Sequence, residues 1–98
     1  IPFKEENIIE QDFFKAAKTN TVPTLKYLYQ ANDFLKNIKD EDGNTALMIA
    51  AENGHINVTK FLFENGEDIN IENKNGMTAL QLAQKNKHFK IVTLLEKP

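Results

Sequence analysis

The chain says one thing twice. Gly43 returns as Gly76, Thr45-Ala46-Leu47 as Thr78-Ala79-Leu80, and Ala50 as Ala83. Asn53 returns as Asn86, His55 as His88, Val58 as Ile91 and Leu62 as Leu95, every pair 33 residues apart. A fixed period of this length marks one supersecondary unit that cannot bury its apolar face alone. It must stack on its own copies. That requirement excludes most other folds for a chain of 98 residues.

Each period reads as two short helices followed by a finger. Thr45 and Thr78 stand at N-cap positions, where a hydroxyl accepts an orphan N–H. Thr78 with Gln81 forms a T-x-x-Q capping box, which Thr45 with Met48 does not. The spacing predicts an inner helix over 46–53, with Ala50 and Ala51 small enough to let a neighbouring helix approach. Gly54 breaks it, an outer helix follows over 56–65, and Gly66 supplies the left-handed cap. The last unit predicts helices over 79–86 and 89–96. Asp42-Gly43 and Asn75-Gly76 predict tight turns with positive φ at both central residues, each the tip of a hairpin-like finger.

The first third is a weaker copy. Residues 1–6 read as a frayed lead-in. Ile9, Phe13, Ala16 and Ala17 predict a helix over 7–18. Pro23 suits the first turn of a second helix reaching about Ala31. A shift of 33 lays Phe14 on Leu47, Ala17 on Ala50, Asn20 on Asn53 and Leu25 on Val58. Asp33 then takes the place of Gly66, where a residue tolerant of the left-handed region is needed.

The middle unit carries Asp40, Gly43, Thr45, Leu47, Ala50, Ala51, Gly54, His55, Phe61, Leu62, Gly66, Asp68 and Asn70. On these residues the chain resembles the ankyrin repeat family over roughly 10–97. The resemblance implies an all-α solenoid of about three stacked helix-turn-helix units joined by hairpin-like fingers. There are departures. Ala46 and Ala79 replace the family's Pro. Met48 and Gln81 replace its His, so the Thr–His bond of that motif is missing. In the last unit Gln84 replaces Ala, Lys87 replaces Gly, and Glu96 stands where the middle unit has Phe63. Polar substitutions of this kind belong on the outer face of a terminal repeat. The expected organisation is a single domain over 1–98. Residues 7–39 form an N-terminal capping repeat, 40–72 a full repeat and 73–98 a C-terminal capping repeat.

Composition argues against chemistry. The chain has no Cys, Ser, Arg or Trp, which removes the commonest nucleophiles and any thiolate metal site. Its four glycines are each explained by a turn or helix end, and none forms a phosphate loop. His55 and His88 lie one repeat apart without a third ligand, and are expected to close the inter-helix turns. Asp40-Glu41-Asp42 lacks the spacing of a calcium loop. The basic group Lys85, Lys87, His88 and Lys90 reads as a solvated face. A net charge of −2 gives no footprint for nucleic acid, and the longest apolar run, 46–51, is too short to span a bilayer. The expectation is a non-enzyme without cofactor or metal, monomeric on its own, with no nucleic-acid partner and no membrane insertion. The compartment stays open. Cytoplasm is the default, with periplasm or exterior applying if a leader preceded Ile1.

What remains is surface. Repeat arrays bind through the concave side lined by fingers and inner helices. The resemblance implies that Glu41, Asp42 and Asn44 project there from the first finger, and Lys74, Asn75 and Met77 from the second. Met48, Glu52, Asn53, Gln81 and Lys85 project from the inner helices, with Lys15 and Thr19 as first-unit counterparts. Met48 and Met77 are the expected apolar anchors, since methionine adapts to irregular partner surfaces. The acidic first finger is expected to steer in a partner with a basic patch. The function so implied is a non-catalytic module binding another protein as inhibitor, sequestering protein or scaffold. The alternative is a terminal structural or adaptor segment of a longer solenoid, or a tether for a neighbouring domain.

Overall fold

A computed structural model of the chain describes residues 5–96, with side chains from Ile8 onward. It is helical, without a strand among the described residues. Three helix pairs follow one another: α1 (Glu5–Thr19) with α2 (Val22–Ala31), α3 (Ala46–Glu52) with α4 (Ile56–Glu64), and α5 (Ala79–Lys85) with α6 (Phe89–Leu95). A short 3-10 turn, Asp33–Leu35, follows α2. The inner helices α1, α3 and α5 pack side by side, as do the outer helices α2, α4 and α6. The stack measures 42 × 27 × 22 Å, longer in one direction than in the other two.

The caps form as the sequence requires. Thr45 Oγ1 accepts from the Met48 N–H at 3.3 Å. Thr78 and Gln81 complete the reciprocal box: Thr78 Oγ1 accepts from the Gln81 N–H, and Gln81 Oε1 accepts from the Thr78 N–H at 2.9 Å. Leu25, Leu35, Leu47, Val58 and Leu62 are fully buried between the layers. Each such side chain contributes about 1.5–3 kcal/mol relative to exposure. Ala16, Ala17, Ala50, Ala51 and Ala83 are buried where the inner helices meet. Their small size permits the close helix approach.

The first unit follows a different register. The N–H of Thr21 donates to Ala16 O, that of His55 to Ala50 O, and that of His88 to Ala83 O. The first step is 34 residues and the second 33. The left-handed residue closing each inner helix follows suit: Asn20 (φ 58°), Gly54 (φ 76°) and Lys87 (φ 60°). Asn20 therefore stands for Gly54, not for Asn53, and Phe13 for Leu47. The offset closes again by the end of the outer helix, where Asn32 caps Leu28 O as Asn65 caps Phe61 O. One extra residue in α2 accounts for this, 10 residues against 9 in α4. Asp33 is not left-handed. It opens the 3-10 turn, and Asn37 takes the positive φ of 59°. The lead-in also differs: Glu5 and Glu6 belong to α1, and residues 1–4 lie outside the described residues.

The fingers are hairpin-like, but their tips are not two-residue turns with positive φ throughout. Gly43 N–H closes onto Asp40 O at 3.0 Å and Gly76 N–H onto Asn73 O at 2.9 Å. Only the glycines are left-handed. This is a three-residue loop ended by a left-handed glycine, another frequent hairpin connection.

Candidate functional site: the concave face

The fingers are built by one residue each. Asp40 Oδ1 accepts from the N–H groups of Asp42 and Asn44, both at 2.9 Å. Asn73 Oδ1 does the same for Asn75 and Met77. Asn73 Nδ2 then donates to Asn44 Oδ1 at 2.9 Å, and the Lys74 N–H to Asp42 O at 3.0 Å, clasping one finger to the next. A Cβ on Gly43 would lie 3.1 Å from Lys74 N, so the clasp also depends on that glycine.

Several expected contact residues therefore have other duties. Asn44 is half-buried with its carbonyl oxygen in the clasp. Gln81 is exposed, but its carbonyl oxygen is held by the capping box. Asn53 is exposed and caps Ile49 O. Met77 is half-buried and packs on the core. Met48 is buried to 1 % and offers a partner nothing. As the central inner helix, α3 is covered by α1 on one side and α5 on the other. Glu41, Asp42, Glu52, Lys74, Asn75 and Lys85 are exposed as expected.

The register of the first unit changes which of its residues line the face. The counterparts of Met48 and Glu52 are Phe14 and Lys18, one residue earlier than the expected Lys15 and Thr19. Phe14 is half-buried and borders two open recesses. The larger, about 700 Å³, lies between α1 and the first finger, with Glu10 and Gln11 on one wall and Lys39 to Asp42 on the other. The second runs from Phe14 to Ile49, bordered by Lys15, Lys18, Glu52 and Asn53. Glu10, Gln11, Phe14 and Ile49 are thus surface residues that the 33-residue alignment does not reveal. The signal that finds Glu10, Gln11 and Phe14 is the 34-residue step between Ala16 and Ala50.

The two histidines and a buried carboxylate link the units. His55 Nε2 lies 2.8 Å from Lys18 O, and His88 Nε2 lies 3.0 Å from Glu52 O. A carbonyl only accepts, so both rings carry their proton on Nε2. Each histidine ties its unit to the preceding inner helix. Glu67 is buried at the junction of the first two units. It accepts from Tyr29 Oη at 3.1 Å and from the Asn37 N–H. Burial pushes its carboxyl above the usual range, against the lowering effect of those two bonds and Lys36. Burial and the neighbouring carboxylate push the Tyr29 phenol up as well. In the last unit Phe89 lies within the basic group and is 67 % exposed.

Comparison with known proteins agrees with this architecture. Palmitoyltransferase akr1 of Aspergillus oryzae is 37% identical over 60 residues, 61% of this chain and 8% of that protein. The human ankyrin repeat domain-containing protein 29 is 35% identical over 68 residues, 69% of this chain and 23% of that protein. A chain in the solved complex of the predatory endopeptidase Bd0816 of Bdellovibrio bacteriovorus with immunity protein Bd3460 superposes with a TM-score of 0.81 at 32% identity. That match covers 86% of this chain and 44% of the other. This chain spans less than half the length of each. The model of the ankyrin repeats, in three copies, matches residues 13–97. With three helix pairs, clasped fingers and that match over most of its length, the chain belongs to the ankyrin repeat family.

Proposed function

We propose that the chain is a non-catalytic module that binds another protein through its concave face. The observation that carries this reading is the recess between α1 and the first finger, which is open to solvent and walled by a finger clasped to the next one. A preformed surface of this kind loses little entropy on binding. Family membership supports the coarse statement, since ankyrin repeats mediate protein–protein interaction. The similar structure comes from a protein complex. The transferase activity of the fungal relatives belongs to proteins of which this chain matches 8%, and this chain has no Ser or Cys to serve as a nucleophile.

The polar replacements of the last unit, Gln84, Lys87 and Glu96, are exposed. Polar exposure of this kind supports 73–98 as a C-terminal capping repeat.

The test is affinity capture followed by mass spectrometry, with the wild-type chain and the exposed variants Glu41→Lys, Glu52→Lys and Lys85→Glu. Partners retained by the wild type and lost by the variants, at unchanged melting temperature, support the reading. A partner held equally by all four proteins would place binding elsewhere.

A further inference from the structure

The larger recess has a definite chemical character. Phe14, half-buried, lies between two walls. One lysine, Lys39, faces four carboxylates: Glu10, Asp40, Glu41 and Asp42. The Asp40 carboxylate is already bonded to the finger's own N–H groups. Among the described residues, the hydrogen-bond pattern leaves the carboxylates of Glu10, Glu41 and Asp42 to solvent. The recess thus offers an aromatic surface with negative charge on both sides, one charge set on a helix and the other on a clasped finger.

Resting on the concave-face reading, we infer that this recess takes a segment of a partner protein in which an apolar side chain is flanked by lysine or arginine. The apolar group lies on Phe14, and the cations reach Glu10 on one wall and Glu41 or Asp42 on the other. Neither contact suffices alone. A half-buried ring offers little area, and exposed charge pairs contribute little and are screened by salt. A side chain on the ring excludes water from the flanking pairs, which strengthens them. The charge argues against two other occupants. Nucleic acid and anionic lipid are repelled by the acidic walls. A second copy of this chain, bringing its own exposed Phe89 with Lys87 and Lys90, would shift the same amides with rising protein concentration before any peptide is added, and that result overturns the assignment to a different partner.

Two blocked synthetic peptides test this, Lys-Lys-Leu-Lys-Lys and Lys-Lys-Gly-Lys-Lys, titrated into the isotope-labelled chain and followed by amide shifts. The leucine peptide binds about three- to tenfold more tightly, as expected for partial burial of one side chain. Its shifts cluster on 10–18 and 39–53, and both affinities fall as salt rises from about 50 to about 300 mM. Phe14→Ala removes the difference between the peptides, and Glu41→Lys with Asp42→Lys abolishes binding of both. Equal affinities for the two peptides on the wild type, a comparison that needs no variant to fold, overturn the inference. Shifts centred on Asp33, Glu64 or Glu72 do the same. If the peptides fail while captured partners still depend on Glu52 and Lys85, the inference falls and the concave-face reading stands. If the peptides seat as expected while capture ignores every concave variant, the wider reading falls.

Discussion

Lys87 holds a backbone conformation that suits glycine. Its φ of 60° matches Gly54 at 76° and Asn20 at 58°. Asn visits this region more readily than most residues, whereas a lysine there is strained by its Cβ. Lys87→Gly is therefore expected to stabilise the chain by about 0.5–1 kcal/mol, read as a higher urea midpoint at unchanged slope. Asn20→Gly should change little by comparison. An unchanged or lower midpoint for Lys87→Gly shows that the lysine side chain makes contacts that outweigh its strain. The same position shows how far the pattern could be read. Lys87 for Gly is visible in the sequence as a departure, but the one-residue offset of Asn20 is not. A gap of 34 and a gap of 33 look alike when the first unit shares so few residues with the second.

Between helices, the junction of the first two units depends on Glu67. Its oxygen gathers Tyr29 from α2 and the Asn37 N–H from the turn after it, while Asn37 Oδ1 accepts from the Asp68 N–H at 2.8 Å. The Tyr29 ring stacks on Phe13 at 5.8 Å and meets Phe61 edge-on at 5.7 Å, so the aromatic contact and the polar one share a side chain. Because burial raises the Glu67 carboxyl, the folded state holds its proton more tightly than the unfolded chain does. The resulting stabilisation is complete below the unfolded value of 4.5 and is lost as pH rises through the raised folded value. Glu67→Gln keeps an acceptor oxygen without the buried charge. The prediction is that the wild type loses stability relative to Glu67→Gln as pH rises from about 4 to about 8, measured by denaturation at each pH. Parallel profiles for the two proteins would mean that the carboxyl is not linked to folding. Tyr29→Phe removes one donor from that oxygen and is expected to destabilise by about 1 kcal/mol. In the sequence Glu67 reads as an ordinary surface residue beside Gly66. Only the arrival of α2 against the second unit buries it.

As a whole, the molecule is a short stack in which each unit packs on the next. Stability is then the sum of units and junctions. The second junction depends on the His88 ring lying over Gly54, where an added Cβ would come within 2.8 Å of it. Gly54→Ala both strains a φ of 76° and displaces that ring. We expect a loss of about 1–3 kcal/mol, with amide exchange accelerated in α5 and α6 before α1 and α2. Uniform acceleration throughout the chain would show instead that the three units open as one. Thr45→Ala, which removes the N-cap of the central helix, should lower the stability of the whole stack by about 1 kcal/mol. Its helix is shared by both junctions.

The period of the sequence determined the fold because it repeats requirements that are local: a hydroxyl before α3 and before α5, small residues within each inner helix, and a residue in the left-handed region after it. Those act within a few residues of chain, and they came out to within one residue in the second and third units. The binding surface was decided by the tertiary structure, because exposure is a property of neighbours. Met48 and Phe14 occupy the same place in successive units. Met48 is buried because helices flank it on both sides, while Phe14 lies on the first inner helix and borders the recess. Glu67 turned inward for the complementary reason, since a partner donor reached it from a unit 30 residues away in sequence. No pattern read along the chain contains that contact.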